Sequence, residues 1–279
     1  MPATEFAEFD VSMTGPRDPP RIGCSGWNYK TWQGSFYEAE LPAKQWLGYY
    51  ASVFDTVEVN NTFYRLPDAR TCAGWKRQTP AGFIVAVKAS RFLTHVKRLK
   101  DPEEPIERLF SRVKALGPRL GPVLYQLPPT FFRNEGNLER LDLFLRTLPR
   151  RINRRVADHV FEFRHPSWYV DETYRMLERH HATLCLHDKR GSAIFEPFVG
   201  PIVYVRFHGT SGHYAGGYPD DRLKHWASVL AGQWKGGRQV YAYFNNDPDA
   251  VATENALTLR RLLLEKTRRP AAQHTVRMY

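Results

Sequence analysis

A strand-like segment recurs eight times between residues 21 and 246, and this recurrence restricts the fold more than any other feature of the chain. The segments are RIGCSG (21–26), TVEVNNTFY (56–64), FIVAVKAS (83–90), PVLYQLP (122–128), HVFEFRH (159–165), ATLCLHD (182–188), IVYVRFHG (202–209) and QVYAYFNN (239–246). Each is short, rich in Val, Ile, Phe or Tyr, and closed by polar or turn residues. Helical spacing of apolar residues fills most of the gaps. Residues 41–54 carry it through Trp46, Tyr49, Tyr50 and Val53, and 103–116 through Ile106, Leu109, Phe110 and Val113. It returns in 137–148, in a segment opened by Asp171 as an expected N-cap, in 220–234 and in 249–265. Residues 189–201 show no helical pattern.

This order predicts an α/β chain folded as a single (β/α)8 TIM-like barrel over 21–265, with one irregular connection between the sixth and seventh strands. A doubly wound open sheet would place a glycine-rich phosphate turn after its first strand. The turn here reads GCSGWNYKTW, which is not G-x-G-x-x-G, and no Walker A sequence occurs. Residues 1–20, with four prolines, read as a loose N-terminal arm, and 266–279 as a basic tail.

Composition bounds the remaining classes. Of the 279 residues, 42% are hydrophobic and 14% aromatic, enough for a substantial core. No apolar run approaches the roughly 20 residues of a membrane span. The start lacks the basic and apolar regions of a secretory signal, so the expectation is a cytoplasmic protein without a membrane partner. Cys24, Cys72 and Cys185 form no paired motif and read as small buried side chains. The net charge of +11 favours acidic partners, nucleic acid among them.

The fifth segment raises the functional question, because Glu162 and Arg164 stand two apart inside an apolar strand. Side chains alternate along a strand, so these two share a face with Val160, opposite Phe161 and Phe163. If the phenylalanines meet the helix layer, the charges face the barrel interior. The same parity places Glu58 and Asn60 opposite Val57 and Val59, and Lys88 with Ala86 opposite Val85 and Val87. It sets Gln126 opposite Tyr125 and Leu127, His187 opposite Leu184 and Leu186, and Arg206 with His208 opposite Val205 and Phe207. Asn245 falls in line with Tyr241 and Tyr243. Seven of the eight strands thus send polar groups inward, mostly near their C-terminal ends, where barrel enzymes keep their sites. The first strand offers Gly23, Ser25 and Gly26, which leave room, and then Trp27 as a wall.

The segments VEVNNTFYRLP, VKASRFLTH, VLYQLPPTF, FEFRHPSWY, RFHGTSGHY and YFNNDPDAVATENA resemble the DUF72 family, also called YecE-like, from about Arg21 to about Leu264. The resemblance implies a TIM-like barrel but no known reaction. It also implies a kinship in fold with the endonuclease IV and sugar isomerase barrels, by analogy only. The chain departs from the family in HYAGGYPDD, where Pro219 stands at a position at which serine is common.

The residues themselves suggest an enzyme, a hydrolase, lyase or isomerase, acting on a small anionic or phosphorylated substrate. Arg164, Arg206 and Lys88 are the expected anion ligands. Glu162 and Glu58 are the expected acid and base, with His208 as partner. Asn60, Gln126, His187, Asn245, Asn246 and Trp27 complete the expected lining, and Asp247 or Asp249 is expected to cap the last helix. Two other classes fit the sequence. One is a nucleic-acid-binding or phosphodiester-processing protein, with Trp32, Tyr37, Phe131, Phe132, Trp168 and Tyr214 as exposed stacking surfaces. The other is a non-catalytic scaffold. No cofactor motif is evident and no HExxH occurs. A cluster drawn from His187, Asp188, His208, Glu58, Glu162 and Asp247 would sit beside cations that repel a metal, so no metal ligand is expected. The oligomeric state is not written in the sequence.

Overall fold

The computed structural model describes residues 18–211 and 214–267. The expected arm and tail therefore lie almost wholly outside the described residues. Eight strands form one parallel sheet: β1 (Arg21–Cys24), β2 (Thr56–Val59), β3 (Ile84–Lys88), β4 (Leu120–Gln126), β5 (His159–Glu162), β6 (Ala182–His187), β7 (Ile202–Phe207) and β8 (Gln239–Phe244). The sheet runs β1-β8-β7-β6-β5-β4-β3-β2, and β1 lies against β2 to bring it nearly to closure. Around it stand α1 (Trp46–Val53), α2 (Ala69–Gln78), α3 (Glu103–Val113), α4 (Glu135–Thr147), α5 (Asp171–Arg179), α6 (Asp220–Lys235) and α7 (Val251–Thr267). The expected TIM-like barrel is the observed fold. The connection between β6 and β7 has no helix; instead Ile194 bridges back to His187.

The seam between β1 and β2 is closed by a side chain rather than a ladder. The Tyr50 hydroxyl accepts from Cys24 N at 2.8 Å and donates to Thr56 O at 3.0 Å, replacing the missing strand-to-strand bond. Gly23 permits this approach, because a Cβ there would overlap Thr56 O and crowd the same hydroxyl.

Several local expectations need correction. The second segment is strand only to Val59; Asn61–Tyr64 forms a helical turn, so Asn60 lies beyond the strand. The fifth ends at Glu162, so Arg164 leaves from the following loop. Helix α2 was not expected, since Gly74 and the run of basic residues mask its apolar face of Cys72 and Trp75; its signal is Asp68, whose carboxylate accepts from Thr71 N at 2.7 Å. Asp171 is the first residue of α5 rather than its cap, which is Val170. Neither Asp247 nor Asp249 caps the last helix through its side chain: Asp247 precedes a short turn, Pro248–Ala250, without a side-chain capping bond, and α7 begins after it.

The core has two parts. Outside the sheet, strand residues such as Val57, Val85, Val87, Phe161, Val205 and Phe207, with Phe163 just beyond the fifth strand, pack against the helices. Inside, Ile84, Ala86, Leu124, Val160, Cys185, Ile202, Tyr204, Tyr241 and Tyr243 fill the barrel. A fully buried aliphatic such as Leu124 or Val160 contributes about 1.5–3 kcal/mol relative to exposure. The three cysteines are free and buried. No helix among the described residues is long and apolar enough to cross a membrane.

Candidate functional site

The inward parity delivers its charges to one place at the C-terminal end of the strands. Arg206, fully buried on β7, is the hub. Its Nε donates to both Glu58 oxygens at 3.1 and 3.0 Å, its Nη2 to Glu58 Oε1 at 2.8 Å, and its Nη1 to Glu162 Oε2 at 2.7 Å. Glu58 also accepts from Ser25 Oγ at 2.7 Å and from the Tyr204 hydroxyl at 2.6 Å. Glu162 takes the Nε of Arg164 on its other oxygen. Burial acts to protonate Glu162, but Arg164 and Arg206 outweigh it and hold the carboxyl well below its ordinary range. Burial likewise works against the charge on Arg206, and the two glutamates overcome it.

His208 sits over this floor. Its Nε2 lies 3.0 Å from Arg164 Nη2 and 3.4 Å from Arg206 Nη1. Both are N–H donors, so Nε2 must accept and the ring proton must sit on Nδ1. Nδ1 faces Asp188 Oδ1 at 3.4 Å, beyond a well-formed hydrogen bond. Burial, reinforced by the guanidiniums against the pull of Asp188, lowers His208 to about 3, so the ring is neutral. Asp188 itself accepts from His208 N at 2.7 Å and from the Tyr218 hydroxyl, which in turn accepts from Gly209 N at 2.7 Å. This chain of bonds fixes the loop after β7.

Lys88, at the end of β3, differs from the other cations. Its Nζ lies 4.3 Å from the centre of the Phe63 ring, and no carboxylate oxygen stands within 4.0 Å of it among the described residues. Burial and then Arg206 lower Lys88 to about 7, against the opposing pull of Glu162 and Glu58. Arg164, only 8% exposed, also keeps an N–H group in reserve: its Nη1 has no partner among the described residues.

Beside the charged floor, a cavity of about 220 Å³ opens between the ends of β1 and β2, lined by Gly26, Trp27, Asn28, Tyr29, Asn60 and Tyr64. Trp27 is at once its wall and a core residue, packed edge-on to Trp75 at 5.5 Å. Asn60 donates to Ser25 O at 3.2 Å, while its buried Oδ1 lacks a partner among the described residues. Past β8, burial pushes Asp247 up to about 7 despite the neighbouring Tyr29 hydroxyl and Arg206, and its Oδ1 is likewise buried and unpartnered. Neither Asp247 as a titrating group nor Tyr29 was read from the sequence as part of the site. Both stand in loops, where strand parity gives no signal.

The remaining expected residues are more peripheral or already bonded. His187 is buried against Phe163 O and the Tyr169 hydroxyl, each at 3.1 Å, and burial lowers it to about 4. Gln126 reaches only Leu127 O, at 3.3 Å. Asn246 ties Gly216 O at 3.1 Å to Asn255 Oδ1 at 3.0 Å, whereas Asn245, 7% exposed, lies at the end of β8. Among the described residues no group of three His, Cys, Asp or Glu side chains is arranged to hold a metal.

The expected stacking aromatics require correction. Trp32, Tyr37, Phe131 and Trp168 are all at most 1% exposed, whereas Phe132 and Tyr214 are 48% and 40% exposed. Each buried ring pins a loop: Trp32 Nε1 donates to Asp247 O at 2.9 Å, Tyr37 stacks on Trp46 at 5.1 Å, and Phe131 stacks on Trp168 at 5.3 Å. A wider cleft, about 530 Å³, lies at the opposite end of the barrel among Leu145, Arg150, Arg151, Asp158, His159 and His181. The mouth is the stronger candidate, because Glu58, Glu162, Arg164 and Arg206 converge there and none of them lines that cleft.

The geometry agrees with what the chain resembles. UPF0759 protein YunF of Bacillus subtilis (strain 168) is 27% identical over 281 residues, covering 87% of this chain and 94% of that protein. UPF0759 protein YecE of Escherichia coli (strain K12) is 33% identical over 121 residues, 43% of this chain and 42% of YecE. The crystal structure of a DUF72 family protein from Thermotoga maritima MSB8 superposes with a TM-score of 0.78 at 30% identity, covering 88% of this chain and 98% of that one. A family model described as DUF72, protein of unknown function, matches residues 21–277. With that match running through the whole barrel, the chain belongs to the DUF72 family.

Proposed function

We propose that this chain is a barrel enzyme that binds a small anion-bearing molecule at the C-terminal mouth and acts on it by proton transfer. One observation carries the reading: Lys88 stands in the mouth with no carboxylate partner among the described residues, while the buried cations beside it, Arg206 and Arg164, are paired with Glu58 and Glu162. Positive charge held out of water is stabilised by an anion, and the ligand supplies what the protein withholds.

The roles expected from the sequence shift accordingly. Arg206 orients the two glutamates, which together with His208 take four of its five N–H groups. Arg164, through Nη1, and Lys88 are the anion ligands. Glu162, held far below neutrality with both oxygens engaged, is a poor base at neutral pH. His208, neutral and with Nε2 spent on the guanidiniums, positions Arg164. The groups poised near neutrality are Lys88 and Asp247, each at about 7, the range in which general acid–base catalysis is most effective. Trp27, Tyr29 and Tyr64 offer apolar walls for the body of the ligand.

Calorimetric titration with inorganic phosphate tests the reading. Wild-type protein is expected to bind, and both Lys88→Met and Arg164→Gln to weaken binding at least tenfold, about 1.4 kcal/mol each. Equal affinity in all three proteins removes the mouth from consideration. A phosphodiester substrate is the second reading, favoured by the net charge of +11. It calls for affinity toward an oligonucleotide that falls steeply with salt, more steeply than affinity for a small phosphate ester.

A further inference from the structure

The uncommitted amine of Lys88 supports a more specific chemistry, which rests on the reading above. We propose that Lys88 forms an imine with the carbonyl carbon of an anionic aldehyde or ketone whose charged group is held by Arg164.

The placement favours this use. Lys88 ends β3 between the buried residues Val87 and Ala89, and its carbonyl accepts from Thr62 Oγ1 at 2.6 Å, so the root of the side chain is fixed. Its nitrogen lies against the face of Phe63 rather than on a carboxylate, and nothing among the described residues accepts a hydrogen bond from it. The charged groups that act on it are Arg206, Glu162, Glu58 and Arg164, and His95 shares the Phe63 ring at 4.9 Å. Burial and the arginines keep a sizeable fraction of the amine neutral at pH 7, as a nucleophile requires. Arg164 lies in the same field and retains Nη1 for a carboxylate or phosphate.

The step balances without a further reactant. The Nζ lone pair attacks the carbonyl carbon, the C–N bond forms, and the C=O electron pair moves to oxygen, which takes up a proton. The nitrogen gives up a proton to leave a neutral carbinolamine, whose hydroxyl takes up a second proton; the nitrogen lone pair then forms the C=N bond as the C–O bond breaks and water leaves. The nitrogen keeps its remaining hydrogen, so the product is an electron-withdrawing iminium, under which a proton or a carbon substituent on the neighbouring carbon is readily lost.

Reductive trapping tests the proposal. The full chain is incubated separately with pyruvate, dihydroxyacetone phosphate and uncharged acetone, each with sodium borohydride, and the modified residue is located by peptide mass mapping. The expected result is a single adduct on Lys88 with an anionic probe, little with acetone, and loss of the adduct in Lys88→Met and Lys88→Arg. Adducts scattered over other lysines, or unchanged in those variants, overturn the imine. Absence of any adduct while phosphate still binds in a Lys88-dependent way also overturns it but leaves the anion site standing. Absence of both overturns the anion site as well.

Discussion

The two halves of the barrel interior are built from the same eight strands and differ in kind. Toward the strand N-termini the filling is Ile84, Leu124, Val160, Ile202 and the rings of Tyr204, Tyr241 and Tyr243. A residue pair further along, it is Glu58, Lys88, Glu162, Arg206 and, from the loop beyond β5, Arg164. The lower half needs no account beyond burial of apolar surface. The upper half does, because a buried ion network is seldom more stable than an apolar filling of the same shape. The junction shows how the halves are joined: Tyr204 belongs to the apolar layer by its ring and to the charged layer by its hydroxyl on Glu58. The lower layer thus holds the sheet together, and the upper layer uses that rigidity to keep charges in fixed positions.

The comparison can be broken in order of effect. Arg206→Met removes the hub and leaves Glu58 and Glu162 buried without it; the expected loss is about 3–5 kcal/mol in urea unfolding. Leu124→Ala, in the lower layer, is expected to lose about 2–4 kcal/mol by ordinary cavity formation, without altering phosphate binding. Replacing the network as a unit, Glu58→Met with Glu162→Leu and Arg206→Met, is expected to leave stability unchanged or raise it by about 1–4 kcal/mol while abolishing phosphate binding. A triple variant that unfolds would make the charges structural and remove the distinction between the halves.

The smallest effect concerns pH. Lys88 is lowered to about 7 in the folded chain, against an ordinary value near 10.5. Between those values the unfolded chain binds more protons, so this group makes stability rise with pH from about 7 to 10.5, and its contribution is lost as the pH falls through 7. Lys88→Met is therefore expected to flatten that slope and to raise the melting temperature more at pH 6.5 than at pH 10. An unchanged slope would mean that Lys88 is well solvated.

Much of this contrast is legible in the sequence, because strand parity is a short-range rule. Val160, Glu162 and Phe161 sort to their faces from alternation alone, and the same rule brings Glu58, Lys88 and Arg206 to one end. Arg164 also arrives there, although the strand has ended and the loop carries it. The rule stops at the strand ends. It does not show that Arg206 would bridge two glutamates, since pairing depends on how neighbouring strands are staggered around the barrel. Nor does it show that Trp32 and Trp168 would turn inward to pin loops, or that Tyr29 and Asp247 would meet from opposite ends of the chain. Helix α2 escaped because its apolar face is only Cys72 and Trp75, too little for a periodic signal.

The most direct test of the division is a crystal structure of the protein soaked in phosphate. The account predicts an anion in the mouth, about 3 Å from Lys88 Nζ and Arg164 Nη1, with Arg206 still bridging Glu58 and Glu162. Phosphate confined to the exposed arginines at the other end of the barrel, with Lys88 turned into solvent, would contradict it.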